Sequence, residues 1–396
     1  MRVVLVSYHV GDGRYASSYR VDRLAKYLPR FGHEVFTFAA VSDLGTSPHA
    51  EVVGPPLVLR GQGAARRALL RLLLPPEPQI LWAMCAIRPL CELAVKARAE
   101  AILVSSPPHS IQVLGVRAAR RLKIPVIADL RDDWMGNHRS RWRTPIHRLF
   151  AGALERLCVN SAAGVILNTE QVYRRFCRRY PERAARFSVI PNGFDEDDFR
   201  LPLLSGTRPI DDSRASLVYT GSMYGDFMWE RLSALAEDLI ECGMDRSWRI
   251  VSAGPSGIVP PRLGSVWTHC GTVPADKAMA LCRQAGLLLL PMPPGEREPS
   301  ATVPLKAYSY LRSERPILYI GEKGATTELL DGFAGTSALS RRGWTQVAEW
   351  MTKHAALLNR HYERPGLSAL SFEARAAQIA RLLDSLSGIP DTVGRD

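Results

Sequence analysis

Residues 3–38, VVLVSYHVGDGRYASSYRVDRLAKYLPRFGHEVFTF, set the topology of the first domain. An apolar strand at 3–7 is followed by loop glycines Gly11 and Gly13, an amphipathic helix at 18–30 and a second strand at 35–38. Further short apolar runs alternate with helical segments, and they lie at residues 101–104, 126–128 and 164–167. This alternation predicts a parallel sheet covered by helices on both faces.

A second α/β domain is predicted after an irregular linker that follows residue 195. Its strands are expected near residues 216–220, 249–252, 266–269, 287–290 and 316–320. Apolar residues at helical spacing then predict a terminal helix over 368–386. The predicted domains are therefore residues 1–195, residues 196–365, and a helix and tail at 366–396 that packs back towards the first domain. Two open α/β domains of this kind bind ligands in the cleft at the carboxyl ends of their strands.

The composition is that of a globular protein, with 396 residues, 46% hydrophobic and 23% charged. No apolar run approaches the roughly 18 to 20 residues that cross a bilayer, and the opening strand is too short for a secretory signal. The seven cysteines are widely spread and contain no C-x-x-C pair. They predict buried thiols in a reducing cytoplasm rather than a zinc or redox site.

The net charge of +12 lies entirely in the first half of the chain. Residues 1–200 hold 30 lysines and arginines against 18 acidic residues, whereas residues 201–396 hold 21 of each. Such asymmetry indicates a surface that binds an anionic partner. The candidates are nucleic acid, a membrane face and a phosphorylated substrate. A solvated arginine-rich surface explains the charge equally well.

The loop Gly11–Ala16 has the spacing G-x-G-x-x-A of dinucleotide-binding loops. The acidic residue that would hold a ribose is missing from the end of the second strand, at residues 36–40, so a nicotinamide-dependent enzyme is a minor alternative. The loop is otherwise expected to face a phosphate or sugar with its backbone N–H groups, or to form a tight turn.

Several short motifs occur in a fixed order along the chain. They are Arg20 in the first helix, Ser105 to His109, Ile124 to Trp134, Ile190 to Asp195, Tyr219 to Ser222, Val303 to Leu311, and Arg315 to Ile317. Together they resemble the bacterial family 4 glycosyltransferases of GT-B fold, over most of the chain except residues 41–100. The resemblance implies two Rossmann-like α/β domains that face each other across a cleft. It also implies transfer of a sugar from a nucleoside diphosphate to an acceptor hydroxyl, with retention of anomeric configuration.

The resemblance places the sugar-nucleotide donor in the second domain, with Lys306 as a catalytic residue. Negative charge grows on the diphosphate as it departs, and a nearby positive charge stabilises it. Lys306 follows Pro304 at a predicted helix start. Its ammonium and the positive end of the helix dipole would therefore act on the diphosphate together. The predicted donor-binding residues are Gly221, Ser222, Arg297, Glu298, Ser300, Thr302, Lys306 and Ser309. Ser309 departs from the family, which usually has a glutamate there to bind the ribose hydroxyls.

On the acceptor side, the resemblance favours Asp132 as the catalytic group that orients or deprotonates the acceptor, with Asp129 in support. Both follow a predicted strand, so their side chains and that of Trp134 are expected to look into the cleft. A helix cap or a pair with Arg131 is the alternative role for these carboxylates. The other predicted acceptor-side residues are Gly11, Gly13, Arg20 and His109.

Basic residues cluster in three segments of the first half. Arg174, Arg175, Arg178 and Arg179 fall on one side of a helix, Arg66, Arg67 and Arg71 border a run of leucines, and Arg139, Arg141, Arg143 and Arg148 flank Trp142. These segments suggest contact with an anionic membrane surface. The predicted location is cytoplasmic, with peripheral association at the inner face of the membrane as a hypothesis.

The predicted function is thus a retaining glycosyltransferase in cell-surface polysaccharide or glycolipid assembly, acting on a lipid-linked or small-molecule acceptor. Its alternatives are a natural-product glycosyltransferase, a nucleotide-sugar epimerase of the same architecture, and a basic nucleic-acid-binding protein. No recognition helix, zinc motif or aromatic platform supports the last of these, and nucleic acid is not an expected partner. The donor is a co-substrate, and neither another cofactor nor a tightly bound metal is predicted.

Overall fold

The computed structural model describes residues 1–11, 16–42, 50–56, 63–136, 144–200, 214–223, 226–255, 257–292 and 300–386. The chain divides into two compact units. The N-unit comprises Met1–Asn192 with Phe372–Asp396, and the C-unit comprises Gly193–Ser371.

The described residues of the N-unit form a seven-stranded parallel sheet with the order β3-β2-β1-β4-β5-β6-β7. The strands are β1 (Arg2–Val10), β2 (Glu34–Ser42), β3 (Ala50–Val52), β4 (Ala101–Ser106), β5 (Val126–Leu130), β6 (Gly164–Leu167) and β7 (Phe187–Val189). The helices that connect them are α1 (Ala16–Tyr27), α2 (Ala64–Leu73), α3 (Ile80–Cys85), α4 (Ile87–Lys96), α5 (Gln112–Leu122), α6 (Pro145–Ser161) and α7 (Glu170–Arg179). Short 3-10 helices lie at Leu28–Phe31, His109–Ile111 and Pro181–Arg186.

The described residues of the C-unit form a six-stranded parallel sheet with the order β10-β9-β8-β11-β12-β13. The strands are β8 (Ala215–Thr220), β9 (Trp248–Ala253), β10 (Trp267–His269), β11 (Leu287–Pro291), β12 (Ile317–Ile320) and β13 (Thr336–Leu339). The helices are α8 (Asp197–Arg200), α9 (Phe227–Glu241), α10 (Ala275–Arg283), α11 (Leu305–Arg312), α12 (Ala325–Leu330) and α13 (Val347–Lys353). Further 3-10 helices lie at Met244–Arg246, Pro261–Leu263, Gly343–Gln346, Ala355–Leu357 and Leu367–Leu370.

Every residue of β4, β5, β9 and β11 is buried, as expected of parallel strands that are covered by helices on both faces. The prediction of two parallel α/β units is therefore confirmed. In each unit the strand order reverses beside the first strand, between β1 and β4 and between β8 and β11. The carboxyl ends of strands at such a reversal form a crevice that commonly binds ligands, and this positions the candidate sites.

The boundaries between the units differ from the predicted residues 195 and 365. Residues after Asn192 pack with the C-unit, where Phe194 N donates to Leu370 O at 3.2 Å and the Phe194 ring is buried against Phe199. The last helix, α14 (Phe372–Leu386), belongs to the N-unit. It begins four residues later than predicted because Leu367–Leu370 forms a single 3-10 turn.

In the N-unit, α14 packs against α1. The rings of Tyr19 and Phe372 meet edge to face with centroids 5.5 Å apart, and Arg30 Nη1 lies 2.8 Å from Glu373 Oε1. The helix therefore completes the core of the unit in which the chain begins.

All seven cysteines are free thiols, but the expectation that all are buried is wrong. Cys85 and Cys242 are exposed because they lie at the ends of α3 and α9, where those helices reach the surface. Cys158 and Cys282 are buried as predicted.

In the described part of the chain, no helix has both the length and the apolar character needed to span a membrane. Within the same residues, no group of three or more His, Cys, Asp or Glu side chains is arranged to hold a metal ion.

Candidate functional site

Lys306 lies at the strand-order reversal of the C-unit, in the first turn of α11. Its ammonium nitrogen is buried, although part of the side chain reaches solvent, and lies 3.9 Å from the centroid of the Tyr219 ring. Burial lowers the pKa of Lys306 to about 7, because a charged ammonium is poorly solvated there. The C-unit thus holds a buried lysine whose charged form a nearby anion would favour.

Gly221 directly follows β8, and the Lys306 side chain packs against its backbone. Its φ of +119° belongs to the region that favours glycine. A Cβ added to Gly221 would lie 2.9 Å from Lys306 Nζ and 3.2 Å from its Cε. The bare backbone of Gly221 therefore allows the lysine to approach the end of β8.

The neighbouring predicted donor residues fall into two groups. Ser222 is exposed after Gly221, and its carbonyl accepts a hydrogen bond from the Tyr219 hydroxyl. Ser300 is buried, its Oγ accepts from Thr302 N at 3.3 Å, and the Thr302 carbonyl accepts from Thr326 Oγ1 at 2.8 Å. Ser222 is thus brought to the Gly221–Lys306 contact, whereas Ser300 and Thr302 are held by the start of α12.

Ser309 lies one turn after Lys306 on α11 and is buried. Its carbonyl accepts from the Ser313 hydroxyl at 2.8 Å and from Ser313 N at 2.9 Å. Arg297 and Glu298, which were predicted to bind the donor, lie outside the described residues, as does Gly13 on the acceptor side.

In the N-unit, Asp129 is the penultimate residue of β5, and its side chain forms a buried ion pair with Arg20 of α1. The Arg20 Nε and Nη2 atoms donate to the two Asp129 carboxylate oxygens at 2.9 and 3.0 Å, and Ser105 Oγ donates to Oδ2 at 2.6 Å. Both side chains are only 1% exposed. The expectation that Asp129 looks into a cleft is therefore wrong, since the buried guanidinium requires this carboxylate as its counter-ion.

Arg20 also binds the backbone at the end of the first segment of the N-unit. Its Nη1 donates to Pro191 O at 2.7 Å and its Nη2 donates to Ile190 O at 3.0 Å. The predicted acceptor residue Arg20 thus fixes β5 and residues 190–192 to α1, in a structural position.

His109 and Trp134 form a stacked pair at the carboxyl ends of β4 and β5. Their ring centroids are 5.1 Å apart at an interplanar angle of 17°. Trp134 is only 2% exposed and packs in the core, because an indole buries a large apolar area. The expectation that its side chain looks into a cleft is therefore also wrong. The sequence motifs identified both residues, but not their contact.

The His109 imidazole is buried and neutral. Its Nδ1 lies 3.0 Å from Ser106 Oγ, and no described residue gives Nε2 a hydrogen bond. Burial, with a smaller contribution from the nearby Arg131 charge, lowers the pKa of His109 to about 3. The ring therefore offers a neutral nitrogen at the reversal point of the N-unit sheet.

Glu77 was not singled out from the sequence, yet it contacts this group. Its Oε1 accepts from Ser110 N at 2.7 Å, and burial raises the pKa of its carboxyl. A carboxylate at a helix start receives N–H groups that would otherwise be unpaired, so Glu77 anchors the segment that carries His109.

Gly11 directly follows β1 and has a φ of +148°, which favours glycine. Its N–H donates to Asp22 Oδ1 at 3.1 Å. The first predicted loop glycine therefore ties the end of β1 to α1.

Asp132 lies two residues after the end of β5, is half-buried and is close to the Arg131 guanidinium. Arg131 donates to Ser106 O at 3.0 Å and to Pro107 O at 3.1 Å, so it spans the ends of β4 and β5. Asp132 is thus the carboxylate of the predicted pair that reaches the surface at this edge of the sheet.

A buried network that sequence reasoning missed holds the loop after Asp132. Glu155 of α6 accepts from Met135 N at 3.0 Å and from the Tyr180 hydroxyl at 2.7 Å. Arg179 of α7 donates to Glu155 at 2.6 Å and to Asp133 at 3.3 Å. The sequence did contain a signal for this network. Glu155 falls on the buried face of α6 with Ala151, Cys158 and Val159, and a buried acidic residue usually has a basic partner.

The same network changes the interpretation of the four arginines of α7. Arg175 Nη1 lies 3.4 Å from Asp133 Oδ2, and Arg174 lies 3.3 Å from Glu170. Because Arg179 is paired as well, three of the four arginines serve internal or intrahelical ion pairs. The helix is therefore a weak candidate for a membrane contact.

Residues 17–193 match the family model of the glycosyl transferase 4-like domain. A search of curated proteins finds no significant match. The resemblance stated from the sequence motifs is confirmed for the segment that the model covers.

Solved structures resemble the whole chain. Sucrose-phosphate synthase from Thermosynechococcus elongatus matches with a TM-score of 0.68 at 14% identity, over 98% of this chain and 99% of that one. WaaG, a glycosyltransferase involved in lipopolysaccharide biosynthesis, matches with a TM-score of 0.61 at 13% identity, over 98% and 100%. HepE from Anabaena, in complex with UDP and glucose, matches with a TM-score of 0.60 at 14% identity, over 98% and 100%. These similarities confirm the predicted α/β fold of GT-B type.

Proposed function

Since the chain carries a glycosyl transferase 4-like domain at residues 17–193 in a GT-B fold, we propose that it is a retaining glycosyltransferase that uses a nucleoside-diphosphate sugar. The donor binds the C-unit and the sugar passes to an acceptor hydroxyl. The position of Lys306 against Gly221 is the observation that carries this proposal.

The chemistry places a requirement on the C-unit. The bond between the anomeric carbon and the diphosphate oxygen breaks, and negative charge grows on that oxygen. Lys306 supplies a cation there once the diphosphate has raised its pKa, and the N-terminus of α11 adds the positive end of a helix dipole. Fixed charge of this kind stabilises the departing group more than the bound donor, which is what accelerates the reaction.

On the acceptor side, Asp132 orients the attacking hydroxyl. The new bond forms on the face from which the diphosphate leaves, and the hydroxyl proton passes to a departing phosphate oxygen. His109 supports the substrate through its neutral Nε2, while Asp129 acts only through Arg20 and the position of β5. The transfer uses no tightly bound metal, and the nucleotide sugar is its co-substrate.

We propose a lipid-linked acceptor, in the assembly of a cell-surface polysaccharide or glycolipid at the inner face of the cytoplasmic membrane. The support is the excess positive charge of residues 1–200, which suits a polyprenyl diphosphate acceptor. The similarity to WaaG is a similarity of fold. It is compatible with this proposal but does not identify the acceptor.

The test is thermal unfolding with a panel of nucleoside diphosphates and their sugars. A selective diphosphate should raise the Tm of the wild-type protein, since a ligand stabilises the state that binds it. Lys306→Ala should remove that shift, and Lys277→Ala, which changes an exposed lysine of the same unit, should retain it. If no diphosphate raises the Tm, or if Lys306→Ala responds like the wild type, the proposal is wrong.

A product assay then distinguishes transfer from epimerisation. Donor supplied alone should remain unchanged apart from slow hydrolysis, and release of the diphosphate should require an acceptor. An epimerised donor in the absence of acceptor would contradict the proposed transfer.

A further inference from the structure

A groove lies between two helices of the N-unit, α4 and α5, and is here called the α4–α5 groove. It has a volume of about 550 Å³, which is within the range of sites that bind small molecules. Its lining includes Cys91, Val95 and Lys96 of α4 with Arg121 and Leu122 of α5. None of the three basic segments identified in the sequence contains these residues.

Three of the lining side chains carry no charge. Val95 is 65% exposed, and Leu122 and Cys91 are half-buried. Burial raises the pKa of the Cys91 thiol, and its hydrogen bond with Arg121 only partly opposes that shift, so the thiol is neutral. An apolar group that contacts these three side chains would therefore leave water without meeting a buried charge.

The groove also carries a net positive charge. Glu92 is the acidic residue of its lining, and Arg88 Nε holds that carboxylate at 2.8 Å. Within the described residues, neither Lys96 nor Arg121 forms an ion pair. Arg117 lies one turn before Arg121, and every exposed side chain of α5 is an arginine. Two lining cations thus stand beside apolar side chains without a counter-ion from the described part of the chain.

The groove is remote from the proposed acceptor site. The last residues of α4 and α5 are Lys96 and Leu122, and each helix leads to the amino end of the strand that follows it. His109 lies at the opposite end of α5, where β4 ends. A ligand of the groove would therefore leave the carboxyl ends of the strands open for the substrates.

We propose that the α4–α5 groove binds a small organic anion that combines an apolar group with a carboxylate, sulfonate or phosphate. The apolar group packs on Val95 and Leu122, and the anionic group pairs with Lys96 and Arg121. The charge of the groove thus complements one end of the ligand, and its uncharged side chains complement the other.

The size of the apolar surface distinguishes this ligand from larger partners. A stable protein interface buries about 800 Å² on each partner around an apolar centre. Entry into a bilayer likewise requires a row of exposed apolar side chains. Val95 is the only large apolar side chain that α4 and α5, both wholly described, expose. A small anion is therefore the occupant that the groove fits.

The probe is anilinonaphthalene sulfonate (ANS), an aromatic anion whose fluorescence rises when it leaves water. Titration of the wild-type protein should show saturable binding. The double substitution Lys96→Gln with Arg121→Gln should weaken that binding at least about tenfold, because both charges opposite the sulfonate are lost. Arg174→Gln with Arg178→Gln is the matched control, since it removes the same charge from exposed positions of α7 and should bind ANS like the wild type.

Cys91 reports where the probe binds. ANS should slow the alkylation of Cys91 by iodoacetamide and leave exposed Cys242 of the C-unit unaffected, as followed by mass spectrometry of peptides. The double variant should show no such protection. Octanoate should compete with ANS, whereas octanol, which has the same chain without the charge, should compete far less.

A second pair of variants changes the uncharged side of the groove. Val95→Glu places an acid there and should abolish ANS binding, while Val95→Thr keeps the shape of the side chain and should bind nearly as well as the wild type. The changed residues are all exposed, and unchanged thermal unfolding would show that the variants fold.

Three results would overturn the proposal. The first is equal ANS affinity in the wild type and the Lys96→Gln, Arg121→Gln variant, and the second is bound ANS that leaves Cys91 unprotected. The third is protection of Cys91 by phosphatidylglycerol vesicles but not by octanoate, because the groove would then serve a bilayer.

The outcome is independent of the proposed transfer reaction. Each variant retains Lys306 and the whole C-unit, so its Tm shift with a nucleoside diphosphate should match that of the wild type. A missing diphosphate response would contradict the proposed transferase and leave the anion site standing, whereas loss of ANS binding alone would do the reverse.

Discussion

Arg20 and Asp129 are separated by 109 positions in the sequence, yet they form a bidentate ion pair from which solvent is excluded. Removal of one partner leaves an uncompensated buried charge, which typically costs about 3–5 kcal/mol. We therefore expect Asp129→Ala to lower the free energy of unfolding by that amount, as measured in urea. The double variant Arg20→Met with Asp129→Leu should lose less than the single variant, since it buries no charge; a larger loss would contradict this account.

Gly221 allows a direct test of the contact with Lys306. Gly221→Ala places a methyl group within 2.9 Å of Lys306 Nζ and forces the flexible end of that side chain to move. We expect the free energy of unfolding to fall by about 1–3 kcal/mol because the alanine backbone is strained at this φ, while diphosphate affinity falls at least about tenfold. Calorimetry with the selected nucleoside diphosphate measures this affinity.

Gly243→Ala is the control for that substitution. Gly243 also has a positive φ, +66°, but a Cβ there would meet nothing within 4 Å. Gly243→Ala should lose less stability than Gly221→Ala, since Gly243 is in the left-handed α region, and only Gly221→Ala should lose diphosphate affinity. Equal affinities in the two variants would show that Lys306 does not hold the ligand.

The strands and the position of Lys306 were predictable because they depend on local sequence. Apolar runs separated by helical segments predicted ten of the thirteen described strands, and Pro304 indicated the start of the helix that carries Lys306. The edge strands β3, β7 and β13 were not predicted, because they are only three or four residues long and most of their residues are not fully buried. The first predicted strand was shorter than the observed β1, Arg2–Val10, because polar and aromatic residues continue its pairing with β2.

The side-chain pairs were not predictable, since their partners lie far apart along the chain. The motifs selected Asp129 and Arg20 separately, and nothing in their spacing indicated that each neutralises the other. In the same way, the helical spacing of Arg175 and Arg179 was correct, but their carboxylate partners come from the loop after β5 and from α6. Two arginines that were predicted to lie on a binding surface thus form ion pairs within the N-unit.

The network around Glu155 should contribute strongly to the stability of the N-unit. Glu155→Ala removes a carboxylate that accepts hydrogen bonds from Arg179, the Tyr180 hydroxyl and Met135 N. We expect a loss of about 1–3 kcal/mol in the free energy of unfolding, since buried donors lose their acceptor while Arg179 keeps its contact with Asp133. Glu349→Ala, which breaks an exposed pair with Lys353, should leave the free energy of unfolding unchanged within the error of the measurement.

The cysteines should differ sharply in their reaction with a maleimide. Cys85 and Cys242 are exposed and should be labelled in the native protein, as followed by mass spectrometry of peptides. Burial raises the pKa of Cys282 to about 12, and it raises that of Cys158 even further, so neither should react before unfolding. Fast labelling of Cys282 in the native protein would show that the interior next to Lys306 is open to solvent.

The lowered pKa of Lys306 predicts how stability depends on pH. The folded pKa of about 7 lies below the ordinary value of 10.5, so between these values the unfolded chain binds more protons than the folded chain. Wild-type stability should therefore gain up to about 1.4 kcal/mol per pH unit from this group as the pH rises through that window. Lys306→Met lacks the gain, so its stability relative to the wild type should be highest below the folded pKa and decline above it.

Ligand binding should reverse the titration of the same lysine. A bound diphosphate favours the charged ammonium, so binding at about pH 8 should take up a proton from the buffer. Calorimetry in two buffers with different ionisation enthalpies measures this uptake. It should vanish in Lys306→Met and persist in Lys277→Met, which changes an exposed lysine of the same unit. Uptake that survived in Lys306→Met would assign the proton to another group and leave the lysine outside the binding reaction.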